Sequence, residues 1–240
     1  FARKILIATG GHPSGYKLAA SLGHTIIKPV PSLFTFTSRN KDLKQCAGVS
    51  LRNVRLKIII NQKILENYGD LLITHWGFSG PGILKLSAIA ARDLYFSNYK
   101  CKLLIRWSEL AYEDLLKKIN DLRELKGKSN LINSRPLPNL TKRLWIFLLD
   151  KIGIDKEKRW SEISSSDKKN MIKVLLDDEY FISAKGPFGE EFVKSGGVTL
   201  EEVNFRTMES IICPGLYFSG EVLNVDGITG GFNFQHCWTS

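Results

Sequence analysis

Two carboxylates and a glycine cluster near the C-terminal end of the sequence carry the strongest chemical signal. Glu221 and Asp226 precede Gly227, Gly230 and Gly231 within the run SGEVLNVDGITGGFNFQHCW, residues 219–238. An acid followed by glycines can hold a phosphate or an anionic ring edge. Glycine lets the backbone approach the ligand, and uncapped N–H groups at a following helix favour negative charge. The same residues also suit a tight turn that holds no ligand, and spacing alone leaves both readings open.

These residues need a strand before them and a helix after them. Gly215-Leu216-Tyr217-Phe218 reads as the strand, and Phe232, Phe234 and Trp238 suit the first turns of a helix. A second stretch has the same grammar near the other end. Lys4-Ile5-Leu6-Ile7-Ala8 is a short apolar run, Thr9-Gly10-Gly11 follows, and Ser14 to Leu22 has helical periodicity stopped by Gly23. Small residues at the C-terminal end of a strand are where open α/β sheets bind ligands.

Taken together, ATGG at residues 8–11 and GEVLNVDGITGGFN at 220–233 resemble the HI0933-like (YhiN-like) flavoproteins, also called aminoacetone-oxidase-family FAD-binding enzymes. PVPSL at 29–33, THWGFSGPGIL at 74–84 and GGVTLEEVNFRTMESIICPG at 196–215 fit as well, so the resemblance runs from about Ile5 to Trp238. It departs from the family at the start. The chain opens at Phe1 without Met, and no GxGxxG turn or following acid for the adenosine ribose is present. We therefore expect an interior or truncated segment, one that by itself binds FAD weakly or not at all. The short His12-Pro13-Ser14-Gly15 loop stands where many members have a longer one.

The resemblance implies a set of cofactor-binding residues: Thr9, Gly10, Gly11, Gly220, Glu221, Asp226, Gly227, Ile228, Thr229, Gly230, Gly231, Phe232 and Asn233. Glu221 would accept from sugar hydroxyls of FAD, or else serve as a turn acceptor. Asp226 would orient the glycine loop rather than touch FAD. The Gly230–Asn233 amides would face the flavin's N1/C2=O edge and stabilise the reduced ring. His75 is a weak candidate for donating a proton to a substrate. The competing reading makes THWGFSGP a strand-to-helix corner, with Ser79 as the cap and His75 packed on Trp76. His236 reads as a packed residue.

Along the chain, residues 31–106 are rich in strand signals. Val54 to Ile60 alternates, a turn at Asn61-Gln62 follows, Asp70 to Thr74 reads as a strand, and Lys102 to Trp107 as another. Residues 109–178 are helical in character, with periodic leucines, a Ser164–Ser166 cap and a break at Ser134-Arg135-Pro136-Leu137-Pro138. Strands return over 180–198 around Gly186-Pro187.

The expected fold class is α/β with inserted β-barrel-like and helical subdomains. The outer pieces would form part of a two-dinucleotide-binding-type (Rossmann-like) FAD domain. The boundaries read 1–30 and 205–240 for that domain, 31–108 and 179–204 for the barrel-like substrate domain, and 109–178 for the helical insert.

The 240 residues, of which 43% are hydrophobic, can bury a proper core. No apolar run approaches the roughly 20 residues needed to span a bilayer, so no membrane partner is expected. Cys46, Cys101, Cys213 and Cys237 form no CxxC pair, and the four histidines are scattered, which argues against a metal site and for a reducing, cytoplasmic compartment. The net charge of +10 is uneven. Residues 1–101 carry 14 Lys/Arg against 4 Asp/Glu, residues 102–173 carry 17 against 10, and residues 174–240 carry 3 against 10. A basic surface fits an RNA partner or an anionic substrate, but also ordinary solvated faces, and no RNA-binding motif or aromatic-interleaved basic run is present.

The functional expectation is an FAD-dependent oxidoreductase. It would take a hydride from NAD(P)H onto the flavin and pass it to an unsaturated or carbonyl-conjugated substrate. By resemblance, that substrate is a small molecule such as a bile-acid dienone, or uridine in ribosomal RNA. The rival is a cofactor-free nucleic-acid- or protein-binding module.

Overall fold

A computed structural model of the chain describes residues 2–187 and 193–240. In chain order its strands are β1 (Ile5–Ile7), β2 (Ile26–Ser32), β3 (Phe36–Ser38), β4 (Ser50–Ile60), β5 (Lys63–Ile73), β6 (Gly77–Ser79), β7 (Cys101–Arg106), β8 (Asp178–Lys185), β9 (Val193–Val198), β10 (Val203–Asn204), β11 (Glu209–Ser210) and β12 (Leu216–Phe218). The helices are α1 (Pro13–Ser21), α2 (Pro81–Ile89), α3 (Ala91–Phe96), α4 (Tyr112–Leu125), α5 (Lys142–Lys151), α6 (Ser165–Leu176) and α7 (Phe232–Thr239). They fall into two compact units: residues 1–34, 87–96 and 188–240, and residues 35–86 and 97–187.

The second unit is built on a closed six-stranded barrel, in the order β3-β6-β5-β4-β7-β8. Alternation creates it. Leu51, Val54, Leu56, Ile58 and Ile60 of β4 are buried, while Arg55 and Lys57 lie between them on the outer face. The β4–β5 turn is Asn61-Gln62, with φ of 46° and 72°. Two successive left-handed residues match the twist of a two-residue hairpin. Asp70 to Thr74, read above as a separate strand, is the far end of one long β5.

Helices α4 to α6 belong to the same unit as the barrel rather than to a separate domain. Thr141 caps α5 by accepting from Leu144 N–H at 3.2 Å. Ser164 and Asp167 form a reciprocal capping box on α6. Trp145 and Trp160 are fully buried, and each indole N–H is satisfied, by the Leu131 carbonyl at 2.9 Å and the Ser134 hydroxyl at 2.7 Å. One buried polar cluster ties α5 to the barrel wall. Asp178 is 1% exposed, and its Oδ2 accepts from Trp107 Nε1 at 2.9 Å and Tyr180 O–H at 2.6 Å. Lys151, at the end of α5, donates to Asp178 Oδ1 and to the Glu179 carbonyl.

The first unit holds a four-stranded sheet, β1-β12-β11-β10, in which β1 and β12 run parallel and the other pairs antiparallel. A separate antiparallel pair joins β2 to β9. Its core gathers Ile7, Tyr16, Ala19, Val198, Val203, Leu216, Phe218, Val222 and Leu223. The barrel boundaries expected from sequence are therefore corrected at both ends. Residues 31–34 and 193–204 lie in the first unit, because β9 pairs with β2 and not with a barrel strand. Strand character was legible in β8 and β9, while residues 188–192 of the expected stretch lie outside the described residues; the pairing partners are non-local and left no mark in the local pattern.

Candidate functional site

Because β1 and β12 are parallel neighbours, the turns that leave their C-terminal ends come together. Ser219 N–H donates to the Ile7 carbonyl at 3.1 Å. Beyond that bond, Thr9-Gly10-Gly11 departs on one side and Gly220-Glu221 on the other. The Glu221 carboxylate closes the gap. Its Oε2 accepts from Gly11 N–H at 3.2 Å and its Oε1 from Lys194 N–H at 2.9 Å, while Lys194 Nζ donates to the Gly11 carbonyl at 3.1 Å. Glu221 thus accepts from one turn amide, of Gly11, and one strand amide, of Lys194 in β9.

Helix α1 begins directly after this turn. His12, read above as part of a loop, is its cap: His12 Nδ1 accepts from Ser14 N–H at 3.3 Å and lies 2.8 Å from the Ser14 hydroxyl. Gly15 in the first turn is required by close approach, since a Cβ there would stand 1.8 Å from Thr9 Oγ1. Tyr16, next in line, is buried, and its hydroxyl has no hydrogen-bond partner among the described residues. Burial first, and the Glu221 charge second, push its pKa up to about 12.

The glycine loop 226–231 is held by Asn233. Its side-chain oxygen accepts from Gly227 N–H at 2.7 Å and its amide donates to the Gly227 carbonyl at 2.9 Å. Asp226, expected to orient this loop, instead meets Ser195, Arg92 and Ser32. Burial raises its pKa, while the Ser195 hydroxyl, the Arg92 charge and Ser32 favour the ionised form. The Ser32 hydroxyl is fully buried and makes no well-formed hydrogen bond, although it lies close enough to Asp226 to be felt.

Gly231 stands at the N-cap of α7 with φ of 87°, in open space, and no side chain caps the helix. The first-turn N–H groups of α7, from Phe232 and Asn233, are accordingly available to an acceptor. Ile228 and Phe232 are exposed, as are Phe234 at 71% and Trp238 at 79%. His236 is half-buried, with Nε2 3.3 Å from the Gly220 carbonyl, and Gly220 N–H donates to Ser240 Oγ at 2.8 Å.

The structure thus brings Thr9, Gly10, Gly11, Gly220 and Glu221 to one place, with Gly227–Asn233 on the loop and helix that follow. His75 is elsewhere. It is exposed in the β5–β6 turn of the barrel unit, where Thr74 Oγ1 accepts from Gly77 N–H at 3.1 Å. THWG is therefore a hairpin turn, and Ser79 is a strand residue opposite Leu72, not the cap of α2. Gly80 precedes Pro81 at the helix start, and its carbonyl takes the Leu84 N–H at 3.0 Å.

Sequence reasoning missed one constellation entirely. His24 places Nδ1 3.0 Å from Glu202 Oε2 and Nε2 2.8 Å from Ser210 Oγ. The order Ser–His–Glu is that of a hydrolytic triad. Here the Ser210 hydroxyl accepts from Ile212 N–H at 3.1 Å and Cys213 N–H at 2.7 Å, and both His24 and Ser210 are buried. The cluster fastens the α1–β2 connection to the β10–β11 hairpin and offers no exposed nucleophile. No local signal could have revealed residues 178 and 186 positions apart.

Among the described residues no group of three or more His, Cys, Asp or Glu could hold a metal ion, and no helix is long and apolar enough to cross a membrane.

Comparison with known proteins agrees with this architecture. The chain is 31% identical to the ribosomal RNA dihydrouridine synthase of Haemophilus influenzae, across 99% of its own length and 58% of that protein's. It is 30% identical to the Escherichia coli protein of the same name, with coverage of 99% and 58%. It is 27% identical to the 3-dehydro-bile acid delta(4,6)-reductase of Clostridium scindens, with coverage of 100% and 60%. The chain therefore spans about three fifths of the length of these relatives. The sequence signature of the HI0933-like protein barrel and H2TH domain matches residues 30–193, the stretch that contains the closed barrel and α4 to α6, and the chain belongs to the HI0933-like family.

Proposed function

We propose that this chain is the barrel-bearing part of an FAD-dependent oxidoreductase. The observation that carries the reading is the meeting of Thr9-Gly10-Gly11 with Gly220-Glu221 at the ends of two parallel strands, followed by the uncapped N-terminus of α7. The residues fit a flavin dinucleotide on two counts. Among the described residues Tyr16 presents a buried hydroxyl without a partner, and Gly231 leaves open space before helical N–H groups that no side chain caps.

In this reading Gly10 and Gly11 let the cofactor lie against backbone, Glu221 holds their turn in shape, and Asn233 fixes the glycine loop. The α7 amides stabilise negative charge at the end they face. FAD, when bound, supplies hydride transfer from NAD(P)H to an unsaturated substrate. The outer strands then form part of a Rossmann-like FAD domain, and the barrel unit faces the substrate.

The names of the two ribosomal RNA relatives and the basic residues 102–173 favour uridine in RNA as the substrate class. The bile-acid relative keeps a small enone as the alternative.

The test is the visible spectrum of the full-length gene product, with the released cofactor identified. Flavin absorption with FAD on release, bleached by a reduced nicotinamide, is the expected result. A colourless protein that stays colourless with added FAD overturns the reading in favour of a cofactor-free binding module.

A further inference from the structure

Two loops of the helical region, residues 126–135 and 156–161, run antiparallel and are joined through their backbones. Leu131 N–H donates to the Lys158 carbonyl at 2.9 Å, Ile132 N–H to Lys156 at 3.0 Å, Trp160 N–H to Ser129 at 3.0 Å and Ser161 N–H to Gly127 at 3.0 Å. Asn130 and Arg159 form a β-bridge between them. The buried indoles of Trp145 and Trp160 bond to Leu131 and Ser134 and fix the pair to the core.

This pairing assembles Lys126, Lys128, Arg135, Lys156 and Arg159. All but Lys156 are exposed, and none of the five has an ion-pair partner among the described residues. The neighbouring acids are already engaged. Asp155 accepts from Glu157 N–H, Glu157 from the Asn130 amide, Glu162 from Arg159 N–H, and Asp167 from Lys158 and Ser164. These carboxylates keep their charge, but with Lys158 offset by Asp167 the five cations outnumber Asp155, Glu157 and Glu162, so the pair of loops is net positive.

We propose that these paired loops are a docking site for the phosphate backbone of an RNA strand. The inference rests on the RNA-substrate reading above and adds where the strand is held. Both tryptophans are buried, so the loops offer no ring on which a base can stack. Recognition here is therefore of phosphate, indifferent to sequence and sensitive to salt.

The experiment measures fluorescence anisotropy of a labelled mixed-sequence RNA of about 20 nucleotides between about 50 and 300 mM salt, where phosphate contacts dominate. It compares the wild-type protein with Lys126→Gln/Lys128→Gln/Arg159→Gln and with Lys117→Gln/Lys118→Gln/Arg123→Gln, which removes three exposed charges from α4. The loop variant should bind at least about tenfold more weakly, with its log–log salt slope reduced by about 2–3. The α4 variant should stay within about twofold of wild type, and oligo-uridine and oligo-adenine should bind alike.

Equal weakening in both variants would mean only net charge matters and would overturn the docking site, as would an unweakened loop variant. A wild-type protein that binds no RNA overturns both the site and the RNA reading. Failure of the flavin reading shows separately, as a colourless protein whose RNA binding still depends on the loops. Thermal melting of the variants at the wild-type temperature establishes that the fold is intact.

Discussion

Gly11 N–H donates to Glu221 Oε2 across 3.2 Å, joining residues 210 positions apart in sequence. The bond links the two turns whose glycines would lie against a cofactor. Glu221 also accepts from Lys194 N–H, so one carboxylate sets the spacing of three chain segments. Replacing it with Gln keeps one acceptor oxygen and turns an NH2 group against a backbone donor. A buried donor left without an acceptor costs about 1–3 kcal/mol. Both donors are only partly buried, so Glu221→Gln should destabilise the fold by the lower part of that range, read as a lower urea midpoint, and weaken FAD binding to the full-length gene product. An unchanged midpoint would mean that water replaces the lost acceptor and that the carboxylate does not set the turn.

A second prediction concerns the link between α5 and the barrel. Among the described residues Lys151 is the only cation bonded to the buried Asp178, whose charged form is also held by Trp107 and Tyr180. Burial pushes the Asp178 pKa upward, against the opposing pull of Lys151. Removing one partner of a buried pair strands the other, typically at about 3–5 kcal/mol. Lys151→Met should destabilise by about that much, and Lys151→Met/Asp178→Asn should recover most of the loss. Chemical denaturation of both variants checks the pair, and additive losses would show that the two residues act independently.

How much of this was legible in sequence differs between elements. The β4 alternation, the Asn61-Gln62 turn and the Ser164 cap are local, and each was readable because its physics lies within a few residues. The glycine turns were readable as turns, because glycine supplies the left-handed backbone that Gly10 and Gly231 adopt, with φ of 58° and 87°. The assignment of β9 to β2, the Glu221 clasp and the His24–Glu202–Ser210 cluster were not readable. Each joins segments distant in sequence, and no local pattern encodes which distant segment arrives. Asp226 is the instructive miss: its place beside Gly227 suggested a loop role, yet its side chain turns to Ser195, Arg92 and Ser32.

The cysteines should separate by reactivity. Cys46 and Cys101 are buried, and burial pushes their thiols up to about 11 and about 12. Cys237 is exposed on α7. Only the thiolate reacts, and a thiol raised by two to three units has a hundredth or less of the usual thiolate fraction, by about 1.4 kcal/mol per unit. Alkylation at pH 8 followed by peptide mass analysis should find Cys237 labelled first, and Cys46 and Cys101 labelled only in denaturant. Early labelling of Cys101 would mean that the barrel opens locally.

Asp226 should cost stability at neutral pH. Its pKa is raised in the folded state above the ordinary value of 3.8, because burial outweighs Ser195, Arg92 and Ser32. The folded chain then holds this proton more tightly than the unfolded chain. The group's favourable contribution is complete below 3.8 and is lost as pH rises through the folded-state value. Asp226→Asn removes the ionisation but keeps a side chain able to bond the serines. The variant should therefore gain on the wild type as pH rises from about 4 to 7, measured as the difference in urea midpoint. If the wild type gains instead, Arg92 and the two serines outweigh burial, and Asp226 is a stabilising anion.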